Sequence, residues 1–263
     1  MALRVVLMLV VAYLSTVGRP AWSEEATTAT SAVDSKTSGV RPVSTQEEFL
    51  RLLGDAQKAY TAVNDYVTTI VIQERIDGEL RPLEIGILKF KKPFAVYIKW
   101  FKGPQAGMQV LYVRGQNGGK LLARKGGVLG LVTFRLEPTS KLALGDNRHP
   151  ITEAGFGYTL DMLESNSKRA VAAGQGRVRR LPDLAEAQLR GPRYELLVEA
   201  DESAGYYCRR CVVTFDPRTR LLTGVQIYDW KDQLIEHYRF FDTRLNVGLT
   251  DTDFSPENPE YNF

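Results

Sequence analysis

Between residues 44 and 63 the apolar positions Phe49, Leu52, Leu53, Ala56, Tyr60 and Val63 recur at helical spacing, with Glu48, Arg51, Asp55 and Lys58 on the opposite side. Ser44 followed three residues later by Glu47 forms a capping box. The pattern predicts an amphipathic helix that needs an apolar surface to lie on. From Tyr66 the period changes to two. "YVTTIVIQERI" is rich in β-branched residues, and Asp77-Gly78 is a hairpin turn signal. "LEIGILKFKK" follows, with Leu83, Ile85 and Ile87 read as one face. After Pro93, "FAVYIKWF" alternates, so that Phe94, Val96, Ile98 and Trp100 face one way, with Tyr97 and Lys99 facing the other. Gly103-Pro104 and Asn117-Gly118-Gly119 separate the next strands, "MQVLYVRG" and "KLLARKG". Strands at this spacing predict a meandering antiparallel sheet.

In the middle of the chain the alternation stops. Ile151, Phe156, Leu160, Leu163 and Ala170 fit a helix interrupted near its start by Gly155 and Gly157. "GRVRRL" at 176–181 reads as a solvated basic loop. "QLRGPRYELLVEA" returns to strand. Arg209 to Asp242 then reads as three strands, with turns at Asp216-Pro217-Arg218-Thr219 and around Asp229 to Asp232. About ten strands and two helical segments make an α+β protein. A sheet of that size curls, here toward an unclosed β-barrel with helices covering its mouth.

The N-terminus is expected to direct this domain out of the cytoplasm. Arg4 precedes an apolar run from Val5 to Val17, then Gly18-Arg19-Pro20 and the small-residue site Ala21-Trp22-Ser23. Residues 1–23 therefore read as a secretory signal peptide, cleaved near Ser23, with an uncleaved anchor as the alternative. The expected location is periplasmic or secreted. Residues 24–43 are polar, small and aperiodic, as in a disordered linker. Residues 44–263 are expected to form one domain. Cleavage would lower Lys plus Arg from 34 to 32 against 31 acidic residues. That balance gives no support for nucleic-acid binding, which needs a clustered basic stripe.

Candidate chemistry is sparse. Cys208 and Cys211 are the only cysteines. On a strand they would point to opposite faces, about 10 Å apart at the Cα atoms, too far for a disulfide unless a bulge near Arg209-Arg210 intervenes. A thiol-redox protein remains an alternative. His149 lies in a turn-rich loop and His237 in a strand beside Glu236, neither with a second His or Cys at metal-ligand spacing. The carboxylates are scattered. No nucleophile elbow, phosphate-binding loop or dinucleotide fingerprint is present, so neither a catalytic residue nor a cofactor nor a metal is expected.

The stretch "VVTFDPRTRLLTGVQIYDWKDQLIEHYRFFDTRLNVGLTDTDFSP" resembles the C-terminal half of the LolA/LolB/RseB superfamily of bacterial envelope proteins. It has an Asp-Pro turn, a hairpin, a strand ending in Phe-Asp and an acidic Asp-x-x-Phe segment. "ILKFKKPFAVYIKW" and "VLYVRGQNGGKLLA" fit the front half, so the resemblance covers about residues 46 to 256. The chain also looks like an uncharacterised secreted family attached to that superfamily. The resemblance implies a half-barrel with a cavity for acyl chains of lipoproteins. It departs in having no lipid-anchor Cys, a middle insertion at roughly 137–192, and the CxxC on a strand.

The expected function is non-catalytic binding of an apolar ligand, a lipid or lipoprotein acyl chain, in the manner of a carrier or chaperone. The expected lining is Ile72, Ile87, Phe94, Val96, Ile98, Trp100, Val110, Tyr112, Val225, Ile227, Tyr238 and Phe240. The same residues could instead pack shut against the helices as a closed core. An RseB-like sensor or scaffold that binds another envelope protein is the alternative. The chain is expected to act as a monomer.

Overall fold

The computed structural model describes residues 43–126, 132–145, 147–184 and 191–263. The expected signal peptide, and the linker up to residue 42, lie outside the described residues. The elements, in chain order, are α1 (Thr45–Thr61), β1 (Asp65–Ile76), β2 (Glu79–Leu80), β3 (Glu84–Lys91), β4 (Ala95–Lys102), β5 (Gln109–Val113), β6 (Leu121–Arg124) and β7 (Thr133–Leu136). After them come α2 (Lys141–Leu144), α3 (Phe156–Ala172), β8 (Gly176–Leu181), β9 (Arg193–Val198), β10 (Arg210–Phe215), β11 (Leu222–Tyr228) and β12 (Leu234–Leu245).

The strands form one antiparallel sheet in the order β7-β6-β5-β4-β3-β1-β12-β11-β10-β9-β8, with β2 paired to β1. β7 and β8 do not pair with each other, so the curled sheet is an unclosed half-barrel, the α+β architecture that the resemblance implies. Its seam is the pairing of the first long strand with the last. Ile70 faces Phe240, Ile72 faces Tyr238, and Glu74 faces Glu236. Asp77 and Gly78 take positive φ (51° and 82°) in the hairpin between β1 and β2, the conformation a two-residue turn requires.

α1 begins as the capping box dictates. Ser44 Oγ accepts from the Glu47 amide at 3.2 Å, and Glu47 Oε2 accepts from the Ser44 amide at 2.9 Å. Its buried face, Phe49, Leu53 and Ala56, lies on the β9–β10 side of the trough, where the Phe49 ring meets Tyr194 at 5.7 Å and Phe215 at 6.5 Å. Phe49 and Leu53 each contribute about 1.5–3 kcal/mol by burial. α3 crosses the seam. Phe156 packs on Tyr66 (4.8 Å) and Phe240 (4.6 Å), and its amide donates to the Tyr66 hydroxyl at 3.1 Å. Gly155 makes that entry possible: its φ is +97°, and a Cβ there would stand 2.4 Å from the Tyr66 oxygen.

The convex face carries a second, smaller core. The C-terminal segment folds back so that Phe254 and Tyr261 bury against Tyr97, Leu111 and Leu122. The Tyr97 and Tyr261 rings stack at 3.9 Å. Lys89 reaches Asp253 at 3.4 Å, and Lys91 pairs with Asp251. The acidic Asp-x-x-Phe segment is thus a clasp over the outside of β3 to β6.

Three expectations change. "GRVRRL" is not a loop but the edge strand β8, because its arginines find carboxylates across the ladder. Arg177 meets Glu199 at 2.7 Å and Arg179 meets Glu195 at 2.6 Å. In β3 the inward phase is Leu88 and Phe90, so Ile87 lies on the outer face, 40% exposed. Each phase of that strand mixes apolar and charged residues, Ile85 and Ile87 with Lys89 and Lys91 on one side and Leu88 and Phe90 with Glu84 on the other, so its first half points the wrong way. The register settles it by laying the Trp100 ring over Gly86, where a Cβ would sit 2.8 Å from the ring. Cys208 and Cys211 do not point to opposite faces. Cys208 precedes β10, and both free thiols bury in the main core.

Candidate functional site

α1 and α3 fill the part of the trough over β8–β10 and the seam. Over β3–β6 and the Glu74–Glu236 end of the seam the concave face is instead bridged by residues 141–145 and 147–155, and a hollow remains beneath them and the first turns of α3. The cavity measures about 140 Å³, within about 1030 Å³ of empty space that includes its mouth on solvent. Its floor is apolar, formed by Ile70, Leu88, Ile98, Val110, Leu121 and Phe240, with Trp100 and Met108 at the side. Met162 and Ile151 close it from above.

Of the residues expected from the sequence, Ile72, Ile98, Trp100, Val110, Tyr238 and Phe240 line this cavity. Phe94, Val96, Tyr112, Val225 and Ile227 belong to the main core or pack against it, outside the lining, and Ile87 is on the outer face.

Along the seam the lining turns from apolar to charged. The inward positions of β1 run Ile70, Ile72, Glu74, and those of β12 run Phe240, Tyr238, Glu236. Like charges directly opposite on a sheet repel, so this pair needs partners, and the bridging segment supplies them. The Arg148 amide donates to Glu74 Oε2 at 2.9 Å, and its Nε donates to Glu236 Oε1 at 2.9 Å. His149 Nε2 lies 3.3 Å from Glu236 Oε1, and Nδ1 lies 2.8 Å from Glu153 Oε2. The Tyr207 hydroxyl donates to Glu236 Oε1 and the Tyr238 hydroxyl to Glu74 Oε1.

The protonation states follow. Burial would raise the Glu236 carboxyl, yet hydrogen bonds and charge from His149, with Tyr207 and Arg148, hold it below the usual range. Burial would lower His149, but Glu236 and Glu153 outweigh that and raise it to about 9, so the imidazole is charged and both nitrogens donate. Glu74 is raised, chiefly by burial. Burial raises both tyrosines, keeping them as donors.

Sequence reasoning passed over Glu74, Arg148, Glu153, Tyr207 and Glu236 as candidates. The available signal was a carboxylate in the inward phase of two otherwise apolar strands. Among the described residues, no group of three or more His, Cys, Asp or Glu side chains could hold a metal ion. The Cys208 thiol is pushed well above its ordinary value by its hydrogen bond with Cys211 and by burial, the opposite of an activated nucleophile. No described helix is long and apolar enough to cross a membrane.

Residues 63–263 match a family described as protein of unknown function (DUF1571). No curated protein matches the chain. Among solved structures it is similar to the MucA/MucB complex of Pseudomonas aeruginosa (12% identity, TM-score 0.46), covering 79% of this chain and 60% of that one. It is also similar to lipoprotein LppX of Mycobacterium tuberculosis (9% identity, TM-score 0.45), covering 77% and 97%. A third is a LolA superfamily protein of Nitrosomonas europaea (12% identity, TM-score 0.33), covering 78% and 96%.

Proposed function

The chain belongs to the DUF1571 family, and we propose that it is an exported, non-catalytic binding protein that shelters an apolar ligand, a lipid or lipoprotein acyl chain, in its half-barrel. The observation that carries this reading is the unfilled apolar hollow. α1 contributes nothing to it and α3 reaches only its edge, through Tyr158, Thr159 and Met162, so that Ile70, Leu88, Ile98, Val110 and Leu121 line a hollow that no helix fills. A sheet whose only task was to fold would close over that surface, because unfilled apolar volume costs stability.

Magnitudes set the mode of binding. A cavity of about 150 Å³ holds a benzene-sized ligand, so about 140 Å³ takes only a short stretch of chain while the bridge is in place. A longer chain must run out through the mouth or displace residues 147–155. Burying about sixteen carbons is worth roughly 12 kcal/mol gross against water at about 0.8 kcal/mol per CH₂. A ligand handed over from a bilayer gains far less, since both media are apolar. Exchange with a membrane is then governed by small differences, as a carrier needs.

Native mass spectrometry of protein purified from the exporting cell tests the reading. A co-purifying amphiphile, lost on Ile98→Glu or Val110→Glu, supports it. A clean unliganded mass, with no uptake of added lipid, sinks it.

A further inference from the structure

The polar end of the cavity has an unfilled hydrogen-bonding position on a carboxylate, and its chemistry specifies a ligand. All three side-chain donors that reach Glu236 converge on Oε1: Arg148 Nε at 2.9 Å, His149 Nε2 at 3.3 Å and the Tyr207 hydroxyl. Oε2 of the same carboxylate is buried with no hydrogen-bond partner among the described residues, on a residue only 1% exposed. The facing carboxylate shows the contrast, since Glu74 has the Tyr238 hydroxyl on Oε1 and the Arg148 amide on Oε2. An ionised carboxylate oxygen left without a donor in a buried setting is costly. Glu236 is among the residues that line the hollow, so a small turn of its carboxylate would offer Oε2 to a donor held inside it.

We propose that the ligand is an amphiphile whose head donates hydrogen bonds, a hydroxyl or an ammonium, and that this head seats on Glu236 Oε2 with its chain on Ile70, Leu88 and Ile98. This rests on the apolar-ligand reading above. It excludes free fatty acids and other heads that offer only anionic acceptors, because such a head would bring a second acceptor and a like charge to an oxygen lacking a donor. The charges nearby do not reverse this. Arg148 and His149 are committed to Glu236, Glu74 and Glu153, and Arg239, which also borders the cavity, donates from Nε to His237 at 3.0 Å. Gln105 also lines the cavity with an unpartnered buried oxygen. Its amide can turn either end to a ligand, so the carboxylate sets the preference.

The test is a matched twelve-carbon series, titrated below micelle formation at neutral pH into the delipidated full domain: dodecanol, dodecylamine, methyl dodecanoate and dodecanoate. The chain is constant, so only the head differs. Dodecanol and dodecylamine are expected to bind about tenfold or more tighter than methyl dodecanoate and dodecanoate, the size of one hydrogen bond to a charged group. Glu236→Gln should erase that ratio while all four still bind. Far-UV circular dichroism checks that this variant folds. Gln105→Leu, which leaves the ionic cluster intact, should retain the ratio. Four equal affinities, or tightest binding by dodecanoate, would overturn the head-group assignment and leave the apolar cavity standing. Binding by none of the four would remove both.

Discussion

Glu236 and its partners decide how the bridging segment is held down. Removing one member of a buried ion pair strands the others. Glu236→Ala should therefore destabilise the protein by about 3 kcal/mol in urea denaturation, the low end of that range because Arg148 keeps 34% of its side chain exposed. The pH dependence has a definite sign. His149 faces Glu236 from β12, Glu74 from β1, Glu153 and Arg148 on its own segment, Tyr158 on α3 and Tyr207 before β10. Its folded value of about 9 lies above the ordinary 6.5. Its contribution is thus complete below about pH 6.5 and lost as pH rises through about 9. Glu236 acts in the opposite sense, its contribution present above about pH 4.5 and lost in acid. Amide protection factors at residues 147–155 should fall as pH passes 9 in the parent protein. In His149→Gln they should already be low at neutral pH, and an unchanged alkaline profile in that variant would count against the assignment. The sequence offered each carboxylate singly, in the inward phase of an apolar strand, but not their pairing. His149 sits in a turn-rich stretch, and only the strand register, which a linear pattern does not carry, sets Glu74 opposite Glu236.

At the scale of elements, local signals served well where one rule acted alone. The capping box of α1, the Asp-Gly hairpin and the Asp216 turn, whose Oδ1 accepts from the amides of Arg218 and Thr219, all follow from a few adjacent residues. They failed where a partner far along the chain decides. β8 looks like a loop until Glu195 and Glu199 are set beside it, and the phase of β3 is fixed by Trp100. Two substitutions test the long-range devices. Gly155→Ala must move either the helix start or Tyr66, losing the Phe156–Tyr66 hydrogen bond, and should lower stability by about 1–3 kcal/mol. Phe254→Ala should cost about 3–5 kcal/mol by opening the outer core, without altering affinity for a cavity ligand. Equilibrium denaturation measures both costs, and a binding titration checks the second claim.

For the whole molecule, a ligand that binds only the folded state adds about 2.7 kcal/mol when present at about a hundred times its dissociation constant. For a domain of this size that is a rise in Tm of roughly 5–10 °C, read by calorimetry with dodecanol and absent in Ile98→Glu. The half-barrel and its covering helices were legible in strand count and spacing. The unfilled part of the trough was not, because the same apolar positions serve a closed core equally well. One consequence follows from the seam. If the bridge lifts from an empty protein, Glu74 and Glu236 are left face to face without Arg148 and His149, and their mutual repulsion resists the movement. A guest that carries its own positive or donating end takes over that neutralising task. On the proposed reading the vacant form would therefore favour staying shut, and loss of a guest would let Arg148 and His149 return to their carboxylates.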